Sequence, residues 1–482
     1  MDRALKVQFA GAVSTWAEGD GGMTIKRASL ARELERILGR ERVLCHEVDL
    51  LCHSYDGTFA ERTPDLVVKP VSTEQVAEVL ALAHKEGVPV YPRGAATGLS
   101  GGAVPLKAGI ALDLTGMDRI YEINREDMLA VVGPGVITGE LHREVEARGL
   151  FYPPDPSSSD FCTMGGNVAE CAGGPRGLKY GVTRDYVLGL EVVLAGGRVI
   201  RTGGRTIKNV TGYDLTRLFV GSEGTLGVIT EIIVRLIPRP SQVRTLLASF
   251  KDLVRTGEAV TAILTAGVIP RTLEIMDRVS VSLVERFAPC GLPLDAEAVL
   301  LIETDGGEQQ ATEEAELIVR LLREAGAQHI RRAADAREAQ ELWKARKSIS
   351  PAIAQIKPTK ISEDATVPRS RVAEMIKRLG QIRQKYGLDL VIFGHAGDGN
   401  LHPNIACDRS DPMEMKKVEK AIGEIFEAAL ELGGTLSGEH GIGILKAPYL
   451  KRELGPAYEV MLSLKKALDP GSILNPGKIF IE

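Results

Sequence analysis

The sequence predicts a multidomain α+β protein, and three observations carry that prediction. The chain has 482 residues, about three times the ~150 of a typical domain. From Asp65 to Pro238, short apolar strands alternate with helices and glycine-rich loops. From about 241 to 450, long helices separate isolated strands, the mark of an α+β unit with segregated helices. Ile237-Pro238-Arg239-Pro240 reads as the linker between these stretches.

The elements follow in order. Residues 1–23 are glycine-rich and aperiodic, so they read as a disordered leader, or else Met23 is the start. Leu30, Leu34, Ile37 and Leu38 mark an amphipathic helix stopped by Gly39. Leu66–Val68 is a strand, and Ser72 with Gln75 forms a capping box for a helix whose apolar face is Val76, Val79, Leu80 and Ala83. Val88–Tyr91 is a second strand, Thr138 caps a helix ending at Gly149, and Tyr152–Pro156 must be extended. Beyond the linker, helices are expected at 308–326, 336–354, 369–387 and 411–433, the last opened by Asp411-Pro412, with strands at Val299–Glu303 and Leu390–Phe393. The expected division is 24–240, 241–450 and a C-terminal segment 451–482 that returns to the first unit.

Composition narrows the function classes. A net charge of −5 gives no basic surplus for nucleic acid. No apolar run reaches the ~18 residues of a membrane span, and Asp2, Glu18 and Asp20 interrupt any signal-peptide core. Six cysteines without a C-x-x-C argue against a disulfide scaffold, an Fe–S cluster or a c-type haem, and suit a reduced cytoplasmic setting.

Glycine is in excess, 52 residues against a usual ~7%, and it gathers in three loops. Pro92–Gly102 follows a strand and exposes backbone N–H groups of the kind that bind a pyrophosphate, yet it is not a Walker loop. Cys162–Glu170 with Gly173, Gly174 and Gly181, and Gly221–Thr230, repeat the pattern. Together they point to one large nucleotide cofactor lying across loops from several strands. Gly133-Pro134-Gly135 mimics a dinucleotide fingerprint, but Thr138 occupies the third glycine's slot and Pro134 removes a donor.

Eight histidines occur, three of them in two compact motifs. In Phe393–Asn404, Asp398-Gly399-Asn400 is a turn signal, and a hairpin there sets His395 beside His402 at the ~5 Å spacing that suits one metal. Ser437–Gly443 supplies Glu439 as a carboxylate, and two histidines with one carboxylate leave coordination positions open, as in catalytic sites. Cys45-His46 and Cys52-His53 look like a soft-metal cluster, but the cysteines read better as small apolar fillers.

The order PRGAATGLSGG, PPDPSS, TMGGNVAE and GSEGTLGVIT resembles the flavin-binding domain of the vanillyl-alcohol oxidase superfamily, and within it the glycolate oxidase D-subunit and D-lactate dehydrogenase branch. The resemblance runs from about Ser54 to the C-terminus. It implies a two-subdomain FAD-binding domain and an α+β substrate (cap) domain with an antiparallel sheet. FAD would be non-covalent, since residues 92–102 hold no histidine. By the same resemblance the flavin contacts are Pro92, Arg93, Gly94, Ala96, Thr97, Gly98, Leu99, Ser100, Pro154, Thr163, Gly165, Gly166, Asn167, Ala169, Gly173, Gly181, Glu223, Gly227, Val228, Ile229 and Asn475.

The resemblance further makes His395, His402 and Glu439 ligands of a divalent metal, usually zinc, and His440 the base. Arg346 matches the arginine that grips a substrate carboxylate, for which its planar fork is suited; Asn404 and Lys360 match further substrate contacts. The implied activity is FAD-dependent oxidation of a small D-2-hydroxyacid to the 2-oxoacid, with glycolate or D-lactate first and D-2-hydroxyglutarate third. The implied partners are an external electron acceptor, an Fe–S subunit and a second flavin-type subunit near a membrane, or a second copy in a homodimer. A metal-free flavin oxidase and a flavin-binding accessory subunit of low activity are the competing readings; loss of the histidine motifs would favour either, and both motifs are present.

Overall fold

The computed structural model describes residues 21–481; the expected leader falls largely outside them, and helix Gly21–Leu38 already includes Met23. That helix stops at Gly39, whose φ of +88° is costly for other residues. The first sheet is mixed, in the order Val43–Leu44, Leu66–Val68, Ile110–Asp113, Val90–Arg93, with only the first pair antiparallel. Helix Thr73–Glu86 packs Val76, Val79, Leu80 and Ala83 on it. Ser72 Oγ accepts from Gln75 N as expected, but Gln75 Oε1 accepts from Val71 N rather than from the cap residue.

A five-stranded antiparallel sheet follows, in the order Ile120–Asn124, Leu129–Val132, Val228–Arg235, Val187–Val193, Val199–Gly203. Thr138 does not cap the next helix. It is that helix's first residue, preceded by Ile137, and its fully buried hydroxyl accepts from Asn167 Nδ2 at 2.7 Å. Gly133 and Gly135 lie against the carbonyls of Met117 and Leu114, so close backbone packing accounts for them. The expected linker is in part a strand: Ile237–Pro238 pairs antiparallel with Leu150–Phe151.

The third sheet is antiparallel throughout and runs His329–Arg332, Gln242–Phe250, Ala298–Gly306, Thr272–Asp277, Asp389–His395, Asn400–Cys407, Thr359–Ser362, with Ala365–Thr366 also paired to Asn400–Cys407. Helices cover both faces. Glu308–Glu324, Val372–Tyr386 and Pro412–Glu431 lie within three residues of the expected bounds at each end. The helix expected at 336–354 breaks at Ser348 into Ala336–Lys347 and Ile349–Ile353. The break sets Pro351 in the first turn of a new helix, where its missing N–H costs nothing.

Strand alternation then builds the site. Residues 246, 248, 250, 273, 275, 300, 302, 390 and 392 enter one core, and their neighbours 247, 276, 299, 301, 391, 393 and 406 enter the other. On this second face each strand turns polar at the same end: Thr272 and Glu274, Glu303 and Asp305, His395, His402 and Asn404. The tail, after helices Ala447–Leu454 and Ala457–Leu468, returns to the first sheet, where Leu474 bridges Val90 and Asn475 N donates to the Val90 carbonyl.

Candidate active site

A cleft of about 1200 Å³ separates the glycine loops from the polar end of the large sheet. Pro92 to Leu99, Thr163, Gly165, Gly166, Asn167, Ala169, Gly173, Glu223, Gly227, Val228, Ile229 and Asn475 line one side; Arg346, Lys360, His402, Glu439 and His440 line the other. The glycine side fits an elongated nucleotide cofactor. A Cβ on Gly98 would meet nothing closer than Glu170 Oε1 at 3.9 Å, and one on Gly166 only Thr163 Oγ1 at 3.3 Å, so both positions open onto the cleft. Two buried oxygens there, Glu170 Oε2 and Asn475 Oδ1, lack partners. Burial, with Glu223 and Asp56 nearby, holds the Glu170 carboxyl well above the usual range.

Other expected flavin residues hold the cradle together. Arg93 donates to the His53 carbonyl at 2.9 Å. Asn475 Nδ2 ties Gly102 O and Glu223 O at 3.0 and 2.7 Å. Gly165 lies where a Cβ would strike Pro134. Three expected contacts do not reach the cleft. Ser100 is fully buried and its carbonyl accepts from Ile444 N, the Pro154 carbonyl accepts from His142 Nε2, and Gly181 terminates helix Gly177–Tyr180 at φ +82°.

The hairpin forms, with a longer turn, Ala396–Gly399. In its register His402 faces Phe393 and His395 faces Asn400, so the two histidines are diagonal rather than opposite. Their ring centroids are nonetheless 5.0 Å apart. Glu439 Oε1 lies 3.6 Å from His395 Nε2 and 3.3 Å from His402 Nε2. Among the described residues these three form the group able to hold a metal, their ligand atoms within 4.8 Å of one another; this donor set fits a divalent ion with open positions. Burial leaves His402 neutral, whereas Glu274 and Glu439 outweigh burial and raise His395. Burial would raise Glu439, but His395 holds it down at about 2.

His440 stacks on His402, centroids 5.3 Å apart. Burial lowers its pKa despite Asp364, whose Oδ1 is 3.6 Å from Nδ1, which favours the neutral imidazole. Lys360 reaches Ser350 Oγ, and burial lowers its pKa. Asn404 is buried beneath the cleft rather than lining it; its Nδ2 donates to the His402 carbonyl, and Oδ1 has no partner. Arg346 is less free than expected: Nε donates to Glu274 Oε2 at 2.8 Å, and Nη2 lies 2.7 Å from the same oxygen. Cys45 and Cys52 are exposed rather than the buried apolar fillers expected, and His53 bonds Asp113 and the Asp49 carbonyl.

Two residues escaped the sequence reading. Glu274 is fully buried and bridges His395 and Arg346; a lone Glu inside Thr-Leu-Glu-Ile-Met-Asp was the available signal. Asp364 is fully buried, pairs with Lys446 and accepts the N–H groups of Gly438 (2.7 Å), Glu439 (2.8 Å) and His440 (3.3 Å). Only the fold brings it to that loop.

Known proteins match over most of the chain. Residues 239–479 match the family described as FAD linked oxidases, C-terminal domain, and residues 64–203 match the FAD binding domain. The chain is 48% identical over 450 residues to glycolate oxidase subunit GlcD of Bacillus subtilis, covering 93% of this chain and 96% of that one. It is 36% identical to D-lactate dehydrogenase of Anaerostipes hadrus, covering 89% and 92%. The solved structure of p-cresol methylhydroxylase with substrate bound shares the fold, with a TM-score of 0.79 at 19% identity over 94% of this chain and 97% of that one.

Proposed function

The chain belongs to the FAD-linked oxidases of the glycolate oxidase and D-lactate dehydrogenase type, with the vanillyl-alcohol oxidase fold, and we propose that it oxidises a small D-2-hydroxyacid, glycolate or D-lactate, to the 2-oxoacid. It is an FAD-linked hydroxyacid oxidoreductase. One observation carries the finer reading: three convergent ligand atoms, a neutral imidazole and two cations meet at the end of a glycine-lined cleft.

The glycine loops would hold FAD, which would supply a two-electron acceptor, and His395, His402 and Glu439 would hold a divalent ion, which would supply a Lewis acid for the substrate hydroxyl. Arg346 and Lys360 hold the carboxylate and so fix the α-carbon relative to the cleft. His440 takes the hydroxyl proton, a role worth ~10²–10⁴-fold, and the Asp364 charge beside Nδ1 stabilises the imidazolium that forms. The chain contains no C-x-x-C, so the electrons pass on to a separate acceptor, for which an Fe–S subunit with a second flavin-type subunit is the proposed partner.

The test is anaerobic. Glycolate or D-lactate should bleach the yellow enzyme, and metal analysis should find a divalent ion. His402→Ala should stay yellow, lose the ion on dialysis and lose most flavin reduction. An active metal-free wild type would refute the metal assignment; failure of every 2-hydroxyacid to bleach the flavin would refute the activity.

A further inference from the structure

Glu274 sits in the middle of strand Thr272–Asp277, fully buried, while its neighbours Leu273 and Ile275 enter the opposite core. A carboxylate there is costly unless both oxygens are engaged. Both are, and by residues with different tasks. Oε1 meets His395 Nδ1 at 2.6 Å, and Oε2 accepts from Arg346 Nε at 2.8 Å.

We propose that Glu274 is a positioning residue shared by the metal site and the substrate clamp, one oxygen aiming His395 at the ion and the other fixing the plane and the free edge of Arg346. The inference rests on the metal and substrate assignments proposed above. On the histidine side, a proton held on Nδ1 by Oε1 would leave the Nε2 lone pair free for an ion held with Glu439 and His402. On the arginine side, Nε and Nη2 are taken up by Oε2, and the guanidinium carbon lies 4.7 Å over the Phe393 ring. That leaves the end-on edge, both Nη1–H groups and the second Nη2–H, to face a ligand. The substrate carboxylate is therefore met at that one edge of Arg346, with Lys360 also lining the cleft.

Glutamine at this position must fail on one side. It offers one acceptor oxygen and one amide donor, whereas His395 Nδ1–H and Arg346 Nε–H both require an acceptor. A simple structural ion pair predicts a less stable protein with an unchanged site. A shared positioning residue predicts that metal affinity and KM change together in the folded protein.

The experiment measures zinc affinity of the FAD-loaded enzyme by competition with a chromophoric chelator, and KM for the hydroxyacid that bleaches it. Glu274→Gln should loosen zinc about 10–100-fold and raise KM, whereas Arg346→Lys should raise KM and leave zinc affinity alone. If Glu274→Gln does not fold, Glu274→Asp, which keeps the charge but shortens the reach, carries the same two readouts. Wild-type zinc affinity in the folded variant would overturn the role of Glu274 while leaving the metal site standing. A wild type that takes up no zinc would overturn both together.

Discussion

Asp364→Asn is the most demanding test of how the site is held. Asp364 Oδ2 accepts the N–H groups of Gly438, Glu439 and His440, and Oδ1 accepts from Ser437 Oγ at 3.2 Å and from Lys446 Nζ. Lys446 is 1% exposed, and these contacts, Lys446 foremost, keep Asp364 ionised far below the usual carboxylate range despite its burial. Asparagine must point its amide either at an ammonium or at three N–H donors. Stranding a buried charge in this way costs about 3–5 kcal/mol, a large share of the ~5–15 kcal/mol that holds a native protein folded. The loop it releases carries Glu439 and His440, and a displacement of about 1 Å at reacting groups costs about 10²-fold. The glycine loops do not depend on Asp364, so flavin should be retained. The assay is chemical denaturation of wild type, Asp364→Asn, Lys446→Met and the double variant, with stopped-flow flavin reduction on each. The double variant buries neither charge, so it should be more stable than the sum of the single losses predicts, by about 2 kcal/mol. Strict additivity, or an Asp364→Asn enzyme with wild-type reduction rate, would refute the reasoning.

Two further outcomes are expected. Gly166→Leu fills the open space beside Thr163 Oγ1, so the folded variant should purify without flavin absorbance; stoichiometric yellow protein would move the cofactor elsewhere. Burial places the His440 pKa below the ordinary ~6.5, so the unprotonated base persists to lower pH and the acid limb of the flavin-reduction rate should lie below that value. In Asp364→Asn, which loses the charge that pulls His440 upward, the limb should move further to acid; a limb at or above ~6.5 in wild type would contradict the assignment.

What the sequence disclosed follows from how local each signal is. The 412–431 helix was legible because Asp411 caps it with proline at N1, and the hairpin because its turn residues lie in one short run. The three glycine loops were legible as a group because each carries its own signature. Register was not: the four-residue turn sets His395 diagonal to His402, an offset that period-2 patterning does not encode. The helix break at Ser348 was missed because the apolar pattern continues across it. Glu274 and Asp364 were missed because each acts on partners far along the chain, 121 residues away for His395 and 75 for Glu439. Ser100, Pro154 and Gly181 fall in motif-like stretches but do not line the cleft, since a motif does not say which of its residues face the ligand.

The loop 437–443 shows why neither half of the molecule forms the site alone. From the large-sheet half, Asp364 takes the amides of residues 438–440. From the glycine-loop half, Glu223 takes the amides of Ile442 and Gly443, both at 2.7 Å. Gly441 stands between these grips at φ +83°, and a side chain there would collide with Glu170. Two buried carboxylates from different halves thus clamp one turn, and that turn presents Glu439 to the histidine pair and His440 to the cleft. Burying such acids is costly unless backbone amides repay it, and here the repayment is the placement itself. The distance between His440 and the glycine loops is fixed by the joint, so a substitution at Glu223, remote in sequence from the proposed metal ligands, should disturb His440 through this turn.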